Sequence, residues 1–320
     1  MGRYRMGRRR RRSKKQGRNN ALLFVLLTVV LLLAWVGNHA EQFRGEGGGD
    51  NDITLQSEQE GQELTVHFID VGQGDAILIQ CKDHAMLIDA GDNSKGTAVQ
   101  LYLRKQGVEK LDYLIGTHPD ADHIGGLDVV ITKFDCETVM MPDITRENAT
   151  YRDVVFAMEY KNYKNTAPVV GTEYELGDAR FIIVAPNGNY GDSYNDYSIG
   201  ILLIHGENHF LFTGDAQEKA EEDMLSNGIS LQADVLKIAH HGSSTSSGGA
   251  FLDAVSPMYA VISCGEGNDY GHPHSETLNN LRQRDIKVFR TDEQGSITVI
   301  SDGKKLIWNC APSESWRSGR

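Results

Sequence analysis

Thr117-His118-Pro119-Asp120-Ala121-Asp122-His123-Ile124-Gly125-Gly126 decides the reading of this chain. Two histidines bracket two aspartates within six residues, directly after an apolar run at 113–117 and ahead of a Gly-Gly pair suited to a tight turn. A loop leaving the end of a strand projects such side chains toward one point, which suits capture of a metal ion better than a solvated patch of charge.

Working outward, short apolar runs at 64–69, 76–80, 85–88, 113–117, 180–185, 199–205, 209–213, 235–239, 259–263 and 296–301 read as strands. Helical periodicity falls at 97–106, 216–227, 249–255 and 275–284. Two clusters of strands with interspersed helices predict a layered α/β protein, and no internal repeat is present.

The chain has 320 residues, 40% of them apolar, enough for a large buried core and too much for disorder throughout. Its net charge of -12 is uneven: ten Arg or Lys and no acid fall within residues 1–20, which leaves -22 on the rest. Residues 1–20 therefore read as a basic cytoplasmic tail. The uninterrupted apolar segment 21–36 reads as a transmembrane anchor or a signal segment. At about 1.5 Å per residue it spans roughly 24 Å, a little short of a hydrocarbon core of about 30 Å. The basic flank keeps the N-terminus inside and places the body outside, on a single-pass protein of the cell membrane, or a secreted one if the segment is cleaved. Residues 37–62, rich in Gly, acids and Gln, read as a flexible linker. The folded body is expected at 63–308, with a tail at 309–320. Cys81, Cys136, Cys264 and Cys310 form no C-x-x-C pair, so zinc-finger and thioredoxin chemistry have no support. An acidic body argues against metal-free binding of a polyanion, but not against a nuclease whose ions supply the positive charge.

The 118–123 segment resembles the H-x-H-x-D-H motif of the metallo-β-lactamase superfamily, with Asp120 at the second histidine. Together with Phe68-Ile69-Asp70-Val71-Gly72-Gln73-Gly74-Asp75-Ala76, Leu87-Ile88-Asp89-Ala90-Gly91, Leu211-Phe212-Thr213-Gly214-Asp215 and His240-His241-Gly242-Ser243, it is similar to the extracellular hydrolase domain of ComEC competence proteins. The match runs from about Glu63 to Trp308. It leaves out the multi-helix DNA channel of those proteins, a departure that puts a role in DNA uptake in doubt and leaves the implied fold and hydrolytic chemistry intact.

The resemblance implies a four-layer αββα sandwich, preceded here by a single N-terminal transmembrane helix, with two divalent ions, Zn or Mn, in a cleft at one edge of the sheets. His118 and Asp120 would hold the first ion, Asp122 and His123 the second, and Asp215 would bridge them. The superfamily's third histidine of the first site belongs near Asn195-Asp196-Tyr197-Ser198, where none stands. The last ligand lies among His240, His241 and His272; the order of strands favours His272, with His240 as proton donor or phosphate contact and His241 orienting its neighbour. Asp89 would support the His118 loop, Asp75 would brace the cleft, and Ser243 would contact a phosphate oxygen or cap the following turn. Asp120 in place of a histidine hardens the site toward Mn²⁺. Two ions about 3.5 to 4 Å apart would bring a shared water's pKa toward neutrality. Lys237, Arg282, Arg284 and Arg290 are the basic residues available to a polyanion.

Three functions compete. The favoured one is a phosphodiesterase or nuclease acting outside the membrane, on a substrate such as single-stranded DNA. Hydrolysis of a lactone, thioester or β-lactam by the same fold is the second, and a non-catalytic binding module with a residual metal site is the third. No obligate protein partner is implied, and serine-esterase chemistry is excluded by the lack of Gly-x-Ser-x-Gly.

Overall fold

Alternating and continuous apolar runs fold here into two stacked sheets. The computed structural model describes Gly2 and residues 63–319. The basic tail, apolar segment and linker expected at 1–62 lie outside the described residues. Among the described residues, no helix is long and apolar enough to cross a membrane.

The first sheet contains β1 (Leu64–Phe68), β2 (Ile77–Cys81), β3 (His84–Ile88), β4 (Lys110–Ile115), β5 (Asp135–Met140), β6 (Asn165–Thr166), β14 (Ile297–Ser301) and β15 (Leu306–Trp308), in the order β15-β14-β1-β2-β3-β4-β5-β6. The second contains β7 (Glu173–Leu176), β8 (Ala179–Ala185), β9 (Gly200–His205), β10 (Asn208–Phe212), β11 (Val235–Lys237), β12 (Tyr259–Ile262) and β13 (Lys287–Arg290), in the order β13-β12-β11-β10-β9-β8-β7. β3 to β6 run parallel, as do β10 to β13; the remaining pairs are antiparallel.

Both faces of each sheet are buried. Phe68, Ile79 and Met86 of the first sheet meet Phe181, Ile201 and Phe212 of the second in the central core. On the far side of the first sheet, Leu78, Leu87 and Leu114 pack beneath α1 (Gly96–Lys105), α3 (Leu127–Lys133) and α4 (Ala149–Tyr160). On the far side of the second, Leu202, Leu211 and Leu236 pack beneath α5 (Glu218–Ser226), α6 (Gly249–Val255) and α7 (Ser275–Arg282). Strands covered on both faces need apolar residues at successive positions, which explains runs such as Ile199-Gly200-Ile201-Leu202-Leu203. The short helices α2 (Ala121–Ile124) and α8 (Thr291–Gln294) complete the set.

The parallel strands end on one rim. β3 delivers Asp89 there, β4 Thr117 and His118, β10 Asp215, β11 the 238–242 turn and β12 Ser263. The carboxyl ends of parallel strands leave a crevice that only connecting loops can fill, and the candidate ligands sit in those loops. The strand expected at 235–239 stops at Lys237, because the chain turns sharply at 239–242. Residues 309–319 hold no regular element but bond back to the body: Ser313 N donates to Val288 O at 2.7 Å and Arg290 Nη1 to Arg317 O at 2.6 Å.

Candidate metal centre

Past β4 the chain enters the His118 loop, and α2 starts after Asp120, so Asp122 and His123 leave from its first turn. Asp89, fully buried in left-handed backbone after β3, ties this loop down. Its carboxylate accepts from Thr117 N at 2.8 Å and from Thr117 Oγ1 at 2.7 Å, and lies 2.8 Å from His123 Nδ1. A carboxylate on one ring nitrogen fixes the tautomer and orients the other, as at many metal-bound histidines. His123 Nε2 accordingly points inward, 3.2 Å from Asp215 Oδ1 and 3.2 Å from His241 Nε2. Asp215 reaches this point through the Thr213-Gly214 turn, and its N–H donates to Ser198 Oγ at 3.0 Å.

His240 and His241 occupy consecutive left-handed positions, φ 51° and 55°. Such conformations are costly in a residue with a β-carbon and persist only where the surroundings enforce them. Here they turn one ring in and leave the other at the rim. His241 is buried, with Nδ1 2.9 Å from Ser263 O and Nε2 3.3 Å from Asp122 Oδ2 and 3.6 Å from Asp215 Oδ2. The Gly72-Gln73-Gly74 turn brings Asp75 against the far side of that ring, 3.4 Å from Nδ1. Lys237 Nζ holds Asp75 at 2.8 and 2.9 Å, and both groups are buried. Gly74 is required: a Cβ there would stand 2.2 Å from the Asp122 carbonyl oxygen, at φ 128°. Asp75, His123, Asp215 and His241 each offer a ligand atom, all within 4.8 Å of one another.

This cluster demands positive charge. Burial alone would lower both imidazoles, but Asp215 and Asp89 hold His123 well above its usual range, and Asp215, Asp122 and Asp75 raise His241 to about 10. Burial would raise the carboxyls, yet Lys237 brings Asp75 down to about 2, and the imidazoles hold Asp122 and Asp215 well below the usual range. His118 goes the other way: burial and then the adjacent His123 push it down to about 3, so it stays a neutral donor. Its Nε2 is buried with no hydrogen-bond partner, 4.0 Å from Asp215 Oδ2. Imidazoles and carboxylates converging around an unpartnered nitrogen fit a divalent cation.

A family description, the metallo-beta-lactamase superfamily, matches residues 69–266. The chain belongs to this superfamily. Competence protein ComA of Neisseria gonorrhoeae is 31% identical over 237 residues, covering 73% of this chain and 32% of that protein. ComE operon protein 3 of Bacillus subtilis (strain 168) is 29% identical over 253 residues, covering 73% of this chain and 33% of that protein. The chain thus spans about a third of the length of these relatives, which are competence proteins of the ComEC family. The metallo-beta-lactamase fold protein YhfI from Bacillus subtilis is 15% identical, with a TM-score of 0.48, over 75% of this chain and 100% of that one.

Within this metallo-β-lactamase fold, the geometry brings His118, Asp122, His123, Asp215 and His241 to one point. His272, the expected last ligand, stands further out. Its ring is buried, 6.3 Å from that of His241 and 5.5 Å from that of His240, and stacks on Tyr270. Burial and then the neighbouring imidazoles bring it down to about 4. The physical reason is the left-handed turn, which spends the inward position on His241. His240 lies at the rim with Nε2 3.7 Å from Asp215 Oδ2, and burial lowers its pKa. Around it stand Asn195 Nδ2 at 3.5 Å, Gln217 Nε2 at 3.4 Å and Thr245 Oγ1 at 3.2 Å. Ser243 Oγ bonds with Thr245 Oγ1 at 3.0 Å. Asp120 forms an ion pair with Arg146. Where the superfamily's third histidine was sought, Ser198 places its Oγ 3.3 Å from His118 Nδ1. Of the basic residues proposed for a polyanion, Lys237 is committed to Asp75, Arg284 to Asp253 and Arg290 to Asp292, while Arg282 lies over Trp316. Sequence reasoning missed Lys237 as the partner of Asp75 and did not find Arg146, whose nearest motif is 23 positions away.

Proposed function

We propose that this chain is a metal-dependent phosphodiesterase or nuclease that works outside the cytoplasmic membrane, with single-stranded DNA as a candidate substrate. The convergence of Asp122, His123, Asp215 and His241 from loops of both sheets carries the reading. These four would hold one divalent ion, and His118 and Asp120, sharing Asp215, would hold a second; Zn²⁺ and Mn²⁺ both suit the donors. When bound, such a pair supplies Lewis acidity and a water ionised near neutral pH.

The protein's own groups do the rest. Asp89 and Asp75 aim the rings of His123 and His241 through their outer nitrogens. His240, at the rim and within reach of Thr245 and Gln217, is placed to deliver a proton to the leaving oxygen of a substrate. Asn195 and Ser243 line the approach beside it. Similarity to competence proteins favours a nucleic acid over a lactone, thioester or β-lactam. The apolar segment 21–36 would tether the body, and extraction of the full chain with membranes, lost on deletion of 21–36, tests this.

The decisive experiment combines metal analysis with turnover of bis(4-nitrophenyl) phosphate and single-stranded DNA. Bound metal, turnover dependent on added Mn²⁺ or Zn²⁺, and its loss in Asp122→Asn are expected. A metal-free protein, or unchanged turnover in Asp122→Asn, sinks the reading.

A further inference from the structure

Arg146 lies in the loop between β5 and α4, far in sequence from every motif of the centre, yet its guanidinium reaches into the site and pairs with Asp120. It also lies over the ring of Tyr194, 4.7 Å from the centroid. Tyr194 opens the short helical turn Tyr194–Tyr197, which follows β8 of the other sheet. The next residue, Asn195, stands 3.5 Å from His240 Nε2. Arg146 therefore spans the mouth of the cleft, from the 118–123 loop to the opposite wall. It stays a third exposed, at 33%.

The two candidate ion positions are unequal. Asp122, His123, Asp215 and His241 are turned toward one another. The position beside His118 has that ring and a share of Asp215, with Ser198 where a further histidine was expected, and Asp120, its expected second carboxylate, is paired with Arg146. One of its few anionic donors is held by a guanidinium. A carboxylate engaged in a charge-assisted bond to arginine must give up that bond to coordinate a cation.

We propose that Arg146 competes with the outer divalent ion for Asp120 and, once displaced, holds the phosphate of the substrate. This rests on the phosphodiesterase reading and adds to it a coupling between the second ion and the substrate. When Asp120 turns to the ion, the guanidinium loses its counter-charge but keeps its seat on Tyr194, facing the cleft. Its planar fork matches two phosphate oxygens. A phosphodiester bound there keeps Arg146 off Asp120 and so favours the ion, and by linkage the ion favours the phosphodiester to the same degree.

The test titrates the full chain with Mn²⁺, following free Mn²⁺ by electron paramagnetic resonance, with and without dimethyl phosphate as an inert phosphodiester. Wild type should show one tight class of site and one weak class, and dimethyl phosphate should tighten the weak class by a factor within the range of about 5 to 150 typical of coupled sites. In Arg146→Gln the weak class should tighten without dimethyl phosphate, and the added diester should then have no effect. The tight class, formed by other residues, reports that the variant is folded. An unchanged weak class in Arg146→Gln overturns the role of Arg146 and leaves the metal reading standing. No bound Mn²⁺ in either protein overturns the metal reading itself.

Discussion

At the scale of single residues, the centre depends on which nitrogen each imidazole turns inward. His123 has no freedom in this respect, because Asp89 takes Nδ1 at 2.8 Å while both groups are fully buried. Asp89→Asn keeps the shape but replaces an acceptor with an amide that can donate to the ring, favouring the wrong tautomer. Loss of such a supporting carboxylate weakens metal affinity about 10- to 100-fold. Competition with a chromophoric chelator should show this loss with the melting curve of the metal-free protein little changed; unaltered affinity would refute the assignment. His118, Asp122, His123, Asp215 and Asp89 were legible in the sequence because each lies in a short motif at the end of an apolar run. That His241, and not His272, turns toward His123 and Asp215 was not. It follows from two consecutive left-handed backbone positions, and nothing in His240-His241-Gly242 announces that histidines adopt them. Lys237 was equally hidden, since a lysine ending a short strand reads as exposed until Asp75 is found 2.8 Å away.

At the scale of elements, the segment that follows the double-histidine turn is fastened by a helix of the outer layer. Glu221 of α5 accepts from Ser247 N and from Gly248 N, just ahead of α6. Burial raises its carboxyl from 4.5 to about 7 despite those donors. The folded state therefore binds this proton more tightly than the unfolded chain. The associated stability is complete below pH 4.5 and is lost as pH rises through about 7. The difference amounts to about 3 kcal/mol at most, at about 1.4 kcal/mol per pH unit. Glu221→Gln is neutral throughout, so the stability of wild type relative to this variant should fall between pH 4.5 and 7. Urea denaturation at three pH values in that window checks it, and parallel pH profiles for the two proteins would refute it. The sequence located the long elements within two or three residues but missed the strands β5, β6, β7, β13 and β15 and the helices α2, α3, α4 and α8. β13 and β15 are three or four residues long and carry no alternation of their own; they exist because a neighbouring strand offers an edge. α4 leaves Phe156 and Tyr160 about 70% exposed, so its apolar residues do not mark a single clean stripe.

For the whole molecule, the centre is a joint between two halves. Asp122, His123 and His118 come from loops of the first sheet, Asp215 and His241 from loops of the second, and the rings of Phe68 and Phe212 pack at a tilt between the sheets with centroids 6.2 Å apart. Unfolding separates these ligands, so an ion that binds the native arrangement and not the unfolded chain must stabilise the fold. At a free ion concentration a hundred times Kd the gain is about 2.7 kcal/mol. For a body of this size each kcal/mol moves Tm by about 2–4 °C, so saturation with Mn²⁺ or Zn²⁺ should raise Tm by about 5–10 °C over the chelator-treated protein. Asp215→Asn removes the carboxylate that both proposed ion positions would share and should abolish the rise, and the metal-free variant should itself melt below the metal-free wild type, because the buried imidazoles of His123 and His241 lose their ionised partner. Differential scanning calorimetry of both proteins with chelator and with metal separates these effects. Equal Tm values for the wild type in the two conditions would mean that the ligands of the two sheets do not close on a common ion.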